Sequence, residues 1–231
     1  MKLLAFETAT EACSVALWLD GEVRERFELA PRRHAELSLP WAEQLLADAG
    51  VKKSQLDAIA VGRGPGAFTG VRLAIAIGQG IALALDRPIV PVSTLAALAL
   101  QAEGVRVLAA IDARMGEVYT AAFELRGGDA FALSDERVVA PVDVLLPDDR
   151  DGWRGVGTGF AAADGVLAAR LHSRFESIDA GALPHAADVA RLAALAYARG
   201  EALAPERVEP AYLRNNVALT IAEQQALRDS R

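Results

Sequence analysis

Two stretches of the chain, 105 residues apart, share one pattern that constrains the fold more than any other feature. In each, an apolar run ends in an acid, Glu7 in the first and Asp112 in the second, and a short turn leads to a second run rich in Val, Ala and an aromatic residue. Short apolar runs bounded by turns are typical of buried strands. A pattern that restarts predicts a duplicated unit, each copy a β-meander with helices. The alternative is that any two α/β segments look alike at this level of detail.

The first unit is predicted to open with three antiparallel strands, because Asp20-Gly21 is a strong hairpin signal between two of its apolar runs. Helices and strands then alternate. Pro40 lies inside the first helical pattern and, because it lacks an N–H, should kink the first turns or mark the true start. The predicted strands are Lys2–Glu7, 13–19, Glu22–Leu29, 56–61 and 88–92, and the predicted helices are 34–49, 71–85 and 93–102.

The second unit is predicted to begin with strands at 107–112 and 118–125. It continues through Val138, the segment 153–157, an Ala-rich helix at 186–199, an extended segment at 206–216 and a terminal helix at 218–231. We therefore divide the chain into an N-terminal lobe, 1–103, and a C-terminal lobe, 104–231, with the tail from about residue 206 packing back on the first lobe.

Composition excludes some classes of function. Hydrophobic residues make up 52% and charged residues 24% of the 231 residues, as is ordinary for a soluble globular protein. Cys13 is the only cysteine, which predicts a reducing, cytoplasmic location, and Glu7 comes too early for a signal peptide. No membrane association is expected. A net charge of −7 disfavours unaided binding of nucleic acid, which requires a basic face, although a site shared with a basic partner stays an alternative.

A glycine-rich loop at 62–70 stands between a predicted strand and a predicted helix, where a phosphate often meets free helix N–H groups. It lacks the Gly-Lys-Ser/Thr of a Walker A loop. Gly62, Gly64 and Ala67 satisfy the loose dinucleotide pattern, but the next strand leads to Ser93 where an acid should bind ribose. The favoured interpretation is structural: glycine permits a sharp turn and close approach of the helix.

The helix that follows this loop is apolar nearly all round. Arg72 and Gln79 are its only strongly polar side chains, and Ala74, Gly78 and Ala82 form a line of small residues that would allow another helix to approach closely. Such a helix must be covered on more than one side. It is either central in its own domain, which is the commoner case, or a docking surface.

The sequence contains few signs of a catalytic site. The three histidines, His34, His172 and His185, are scattered, and no H-E-x-x-H, C-x-x-C or G-x-S-x-G motif occurs. Glu7 and Asp112, the two strand-end acids, are the best candidates for a metal–phosphate site between lobes, as in actin-like kinases. The alternative, which we favour, is that each makes local hydrogen bonds.

Four segments, 6–16, 62–72, 110–119 and 209–216, closely resemble the TsaB family, also called YeaZ. The resemblance implies an α/β actin-like (ASKHA) fold with two RNase H-like lobes. It implies a non-catalytic scaffold subunit that supports TsaD in threonylcarbamoyl transfer to adenosine 37 of tRNA. It further implies that the ATPase TsaE is a partner and that the chain can form a homodimer when alone. It implies contact with tRNA only through the complex, and ATP and metal bound by partner subunits.

The same resemblance implies residue roles. The metal histidines of TsaD correspond here to Thr94 and Leu98, so no catalytic, cofactor or metal residues are expected beyond the weak candidates Glu7 and Asp112. Helices 34–49 and 69–85 are expected to form the partner surface. Its residues are predicted to be His34, Leu37, Trp41, Leu45, Phe68, Val71, Arg72, Ile75, Gly78, Gln79 and Ala82. The alternative functions are a small-molecule kinase of the actin-like superfamily and a glycoprotease-like peptidase.

Overall fold

The structure, a computed structural model, describes residues 1–214. The predicted terminal helix at 218–231 lies outside the described residues, as do Asn215 and Asn216. The strands are β1 Lys2–Glu7, β2 Ala12–Leu19, β3 Glu22–Leu29, β4 Ala58–Gly62, β5 Ile89–Val92, β6 Arg106–Arg114, β7 Glu117–Arg126, β8 Asp129–Ala132, β9 Arg137–Val139, β10 Trp153–Val156 and β11 Phe175–Asp179. The helices are α1 His34–Asp48, α2 Phe68–Leu85, α3 Thr94–Ala99, α4 Ala162–Leu171 and α5 Ala186–Ala198.

Element boundaries differ from the predicted ones at helix starts and ends. Helix α1 begins at His34 and runs through Pro40, so Pro40 does not mark its start. Pro40 deprives only the Glu36 carbonyl of an N–H partner four residues on, which solvent near the helix start can replace. Helix α2 begins at Phe68, three residues earlier than the pattern predicted, and α3 ends at Ala99, three residues earlier.

Two mixed sheets confirm the duplication. The first sheet has the strand order β3-β2-β1-β4-β5, and the second has the order β8-β7-β6-β10-β11, with β9 also pairing with β7. In both, the first three strands are antiparallel and the last two run parallel to the central one. The central strand β1 ends in Glu7, as predicted, whereas the central strand β6 runs two residues past Asp112 and ends at Arg114.

The elements stack in five layers. Helices α1 and α2 cover one face of the first sheet, α3 and α5 fill the space between the two sheets, and α4 covers the far face of the second sheet. Side chains of a strand point alternately to opposite faces. In β1, Leu4 and Phe6 therefore pack toward α1 and α2, whereas Leu3 and Ala5 pack toward α3 and α5. Burial on both faces explains why these strands read as continuous apolar runs.

The central layer is drawn from both halves of the chain. Helix α3, from the first half, packs on β6 and β7 of the second sheet, and α5, from the second half, packs on β1 and β2 of the first sheet. The two lobes thus share one apolar core between the sheets. A cut of the chain at 103/104 follows the repeat in the sequence, but it separates helices from the sheets that they cover.

Residues 203–214, which we call the strap, return to the first lobe. Leu203 bridges Ile89 of β5 through two backbone hydrogen bonds, of 2.9 and 2.7 Å. Val208 is buried in the apolar cluster formed by α1, α2 and the first sheet. The Ala211 N–H donates to the Arg63 carbonyl at 2.9 Å. The strap therefore runs along α2 before the described chain ends.

Candidate functional site

The first strand-end acid, Glu7, is sealed inside the first lobe. Its side chain is almost inaccessible, at 1% relative exposure. One carboxylate oxygen accepts the Ala9 N–H at 2.7 Å, and the other accepts the Thr94 hydroxyl at 2.9 Å. Gly62 lies so close that a Cβ added there would stand 1.9 Å from the Glu7 Oε2. Glu7 is thus held by local hydrogen bonds, as the favoured interpretation predicted.

Burial dominates the charge state of this carboxyl group. Desolvation raises the pKa of Glu7 to about 7, against the lowering effect of the hydrogen bonds from Ala9 and Thr94. Removing a charge from water disfavours its ionised form, and two donors compensate only part of that cost. Glu7 therefore gains a proton far more readily than an exposed glutamate.

Thr94 and Leu98, the two positions that the family resemblance implied would replace metal histidines, are both packed. Thr94 is buried at the start of α3, donates to Glu7, and its Oγ1 also accepts the Gly64 N–H at 3.2 Å. Leu98 is fully buried one turn later and lies against Gly157 of the second lobe. Neither side chain can replace an imidazole ligand. Within residues 1–214, no three His, Cys, Asp or Glu side chains form a group that could hold a metal ion.

The second acid, Asp112, lies two residues before the end of β6 and faces a cleft between the lobes. This interlobe cleft has a volume of about 540 Å³. The first lobe contributes Thr10 and Gly66, the second contributes Asp112 and Thr158, and the strap contributes a wall. The Asp112 carboxylate accepts the backbone N–H of Arg114 at 2.7 Å and its guanidinium at 2.9 Å. Asp112 is thus accessible, whereas Glu7 does not reach the cleft.

The glycine-rich loop owes its composition to close packing. A Cβ on Gly66 would stand 2.5 Å from the Ala9 carbonyl oxygen, and one on Gly70 would stand 1.9 Å from the Thr8 carbonyl oxygen. Thr8 also donates its hydroxyl to the Gly70 carbonyl at 2.7 Å. These glycines let the start of α2 press against the β1–β2 connection, which is the structural role favoured by the sequence.

The inner face of α2 is the small-residue line. Ala74, Gly78 and Ala82 are buried, and a Cβ on Gly78 would stand 2.5 Å from the Val61 Cγ1 of β4. The line therefore lets α2 approach its own sheet rather than a helix of another protein. This corrects the predicted interface. Six of its residues belong to the core of this chain: Leu37, Leu45, Val71, Ile75, Gly78 and Ala82.

Four further predicted interface residues are half-buried, and three of them make bonds within the chain. The His34 Nε2 lies 3.0 Å from the Thr10 carbonyl, and the Gln79 amide donates to two carbonyls of the strap. Arg72 donates to the Tyr212 hydroxyl at 2.7 Å, and Trp41 packs against core residues of α1. Of the eleven predicted residues, Phe68 is the one that stands mainly in solvent, with 63% relative exposure.

The outer face of α2 was offered by the sequence as a docking surface, but its residues were not among those predicted for the interface. It is apolar and turned to solvent, and Leu83 is 65% exposed. Its residues, fully or partly accessible, are Leu73, Ala76, Ile77, Gly80, Leu83 and Ala84. By length and mean hydropathy, 1.6, α2 would also qualify as a membrane span, although its inner face packs on the first sheet. In the sequence, this face could have been recognised because none of its six residues is polar.

Ser14, Glu25 and His185 come together in a way that resembles a hydrolytic triad but differs in connectivity. The Ser14 hydroxyl donates to the Glu25 carboxylate at 2.6 Å and accepts the Ala186 N–H at 2.9 Å. His185 Nδ1 lies 2.9 Å from the other oxygen of Glu25, which raises the pKa of His185. Glu25 therefore stands between serine and histidine, so His185 cannot act as the base for Ser14. The cluster caps the start of α5.

Known proteins resemble this chain over most of its length. The family model described as TsaD, tRNA N6-adenosine threonylcarbamoyltransferase, matches residues 28–222. The tRNA threonylcarbamoyladenosine biosynthesis protein TsaB of Escherichia coli K12 is 44% identical over 226 residues, covering 94% of this chain and 96% of the relative. The chain belongs to the TsaB (YeaZ) family. TsaB of Haemophilus influenzae is 39% identical over 229 residues, covering 94% of this chain and 95% of the relative.

Solved structures of the TsaB family agree in fold. A Pseudomonas aeruginosa protein described as similar to the peptidase YeaZ superposes with a TM-score of 0.86 at 47% identity, covering 92% of this chain and 99% of that one. The predicted α/β actin-like fold and the resemblance to the TsaB family are confirmed.

Proposed function

We propose that the chain is a non-catalytic subunit for the biosynthesis of threonylcarbamoyladenosine in tRNA, and that it binds the transferase TsaD through the outer face of α2. The names of the TsaB relatives support the pathway. The observation that carries the proposed binding mode is the contrast between the two faces of α2. One face is packed on the first sheet, and the opposite face is apolar and accessible.

An exposed apolar helix face of this length marks an interaction site. Ala76 and Gly80, four residues apart on the outer face, leave room for a second helix to approach closely, because the distance between packed helices depends on the side chains at the contact. The family model that matches this chain is that of TsaD, so TsaD offers a helix layer of the same kind. Pairing of equivalent helices also accounts for a homodimer when the chain is alone.

The packed positions Thr94 and Leu98 support a non-catalytic role, since their side chains hold the core together and offer no imidazole. We assign ATP and metal to the partner subunits, TsaE to the larger complex, and contact with tRNA to the complex as a whole. The cytoplasm, where tRNA is modified, is the proposed location.

The test is a pair of substitutions at Gly80. A Cβ at Gly80 meets no atom within 4 Å, so both Gly80→Ala and Gly80→Arg fit the free chain. Gly80→Ala should raise helix stability by about 1 kcal/mol and retain TsaD binding. Gly80→Arg should weaken TsaD binding about 100-fold, because it places a charge in an apolar helix contact. Sedimentation of the mixture and formation of the tRNA product, with and without this chain, are the measurements.

Leu83→Glu is a second variant for the same face. The proposed surface would be contradicted if Gly80→Arg and Leu83→Glu both bound TsaD as tightly as the wild-type chain and unfolded at the same temperature. Product formation by the chain alone, without TsaD, would contradict the non-catalytic role.

One observation supports a second candidate, a small-molecule kinase of the actin-like superfamily. Asp112 faces the interlobe cleft and is accessible there. This candidate requires ATP turnover by the isolated chain that Asp112→Ala abolishes. Absence of turnover with every acceptor tried would dispose of it.

A further inference from the structure

An exposed cluster stands at the start of α2, next to its outer face. The Arg72 guanidinium carbon lies 3.3 Å from the centre of the Phe68 ring and 4.9 Å from the centre of the Tyr212 ring. Both rings are largely in solvent, at 63% and 59% exposure. Aromatic and arginine side chains carry much of the binding energy of protein interfaces when they are covered. We call Phe68, Arg72 and Tyr212 the aromatic–arginine cluster.

This cluster holds the strap at its weaker end. The first half of the strap is fixed in the core, by Val208 and by the Gln79 amide, which donates to the carbonyls of Pro205 at 2.9 Å and of Val208 at 3.3 Å. The second half is held by the Ala211 N–H, which donates to the Arg63 carbonyl at 2.9 Å, and at the surface by the hydrogen bond that Tyr212 accepts from Arg72. Exposed contacts of this kind open at low free-energy cost.

The strap also reaches the second lobe. Arg214 pairs with Glu117 at the start of β7, and its guanidinium lies 3.7 Å from the Met115 sulfur at the tip of the β6–β7 hairpin. Residues 210–214 form one wall of the interlobe cleft, which Asp112 also lines. The strap thus links α2 to the wall of the cleft and to the hairpin of the second lobe.

We propose that the aromatic–arginine cluster couples partner binding to the interlobe cleft: a TsaD molecule seated on the outer face of α2 also covers Phe68 and Tyr212, and by fixing Tyr212 it fixes the strap, the cleft wall and the β6–β7 hairpin. The cluster is continuous with the outer face of α2, since Phe68 and Arg72 belong to the first turns of that helix. This inference rests on the proposed function. The coupling is reciprocal, so a ligand whose affinity for the interlobe cleft is raised by bound TsaD raises the affinity for TsaD by the same factor.

The experiment places a spin label on the hairpin tip and compares its mobility with and without TsaD. Met115 is 85% exposed and Cys13 is buried, so Met115→Cys gives one reactive site. Saturating TsaD should reduce the mobility of the label in this parent chain. Adding Tyr212→Ala should remove that response and weaken TsaD binding about tenfold, because both the strap seat and a covered aromatic ring are lost.

Tyr212→Phe is the matched control. It keeps the ring on Arg72 and loses only the hydroxyl acceptor, so it should retain the label response and bind TsaD within about threefold of the parent. A label response that persists in Tyr212→Ala would mean that TsaD touches the hairpin directly, and would overturn the coupling. No response in the parent, with TsaD bound, would also overturn it and leave the proposed function intact. Loss of TsaD binding in the parent would overturn both.

Discussion

Glu7, the last residue of β1, and Asp112, two residues before the end of β6, hold equivalent places in the sequence repeat, yet their surroundings differ. Both carboxylates accept hydrogen bonds on both oxygens, but Glu7 is 1% exposed, whereas the Asp112 side chain is 28% exposed and faces the interlobe cleft. The difference arises in the connections that follow. The β1–β2 connection, residues 8–11, folds over Glu7 and packs on α2, whereas Met115 and Gly116 alone join β6 to β7.

Helices complete the contrast. Thr94, at the start of α3, closes over Glu7 with a hydrogen bond, and Gly62 presses on the carboxylate from β4. On the second lobe, Thr158 accepts the Asp112 N–H at 3.1 Å and leaves the carboxylate to Arg114 and solvent. The two copies of the unit therefore share an acid at the equivalent position but differ in what surrounds it. The first acid has become part of the core, and the second remains available to a ligand.

The largest expected effect is on the sealed acid. Gly62→Ala would place a methyl group 1.9 Å from the Glu7 Oε2, so the carboxylate must leave its position and lose the donors Ala9 and Thr94. Each lost hydrogen bond to a buried charged group costs about 1 to 3 kcal/mol. We expect Gly62→Ala to lower the free energy of unfolding by about 4 kcal/mol, measured by urea denaturation.

The control for this prediction removes the carboxylate. In a Glu7→Ala background, the methyl group of Gly62→Ala has space, and its added cost should fall below about 1 kcal/mol. An equal cost in both backgrounds would show that Gly62 is constrained by something other than Glu7.

The charge of Glu7 gives the next prediction. Its pKa of about 7, against 4.5 when unfolded, means that the folded chain binds more protons between these pH values. Stability should therefore fall as pH rises from 4.5 to 7 and stay level above, by about 3 kcal/mol in total at about 1.4 kcal/mol per pKa unit. Glu7→Gln, which resembles the protonated form, should remove this part of the pH dependence.

Denaturation of both chains at pH 5 and pH 8 isolates the contribution of Glu7, since every other titrating group is common to them. The variant should gain stability relative to the wild type on going from pH 5 to pH 8. Parallel pH profiles of the two chains would show that Glu7 ionises in the folded chain as it does in the unfolded one.

The sequence predicted the duplicated strands well because their signal is local: apolar runs on both faces of a buried strand, ended by an acid. It could not separate Glu7 from Asp112, because their burial depends on α3 and on loops distant in sequence. The residues predicted for the α2 interface were poorly chosen for a related reason. A line of small residues serves close approach to any surface, and in this chain that surface is the chain's own β4, next to Gly78. The sequence repeat also does not show that α3 packs on the second sheet and α5 on the first.

The smallest effect is expected at the open acid. Asp112→Asn keeps a side-chain oxygen that accepts the Arg114 N–H. It loses one ion pair that is partly exposed to solvent and is worth about 0.5 kcal/mol. Stability should change by no more than that, far less than for any change at Glu7. If the two ends of the repeat differ as the structure shows, Asp112→Asn should act on cleft ligands instead, seen as altered formation of the tRNA product in the reconstituted system. A loss of about 2 kcal/mol or more on urea denaturation would mean that Asp112, like Glu7, serves the core.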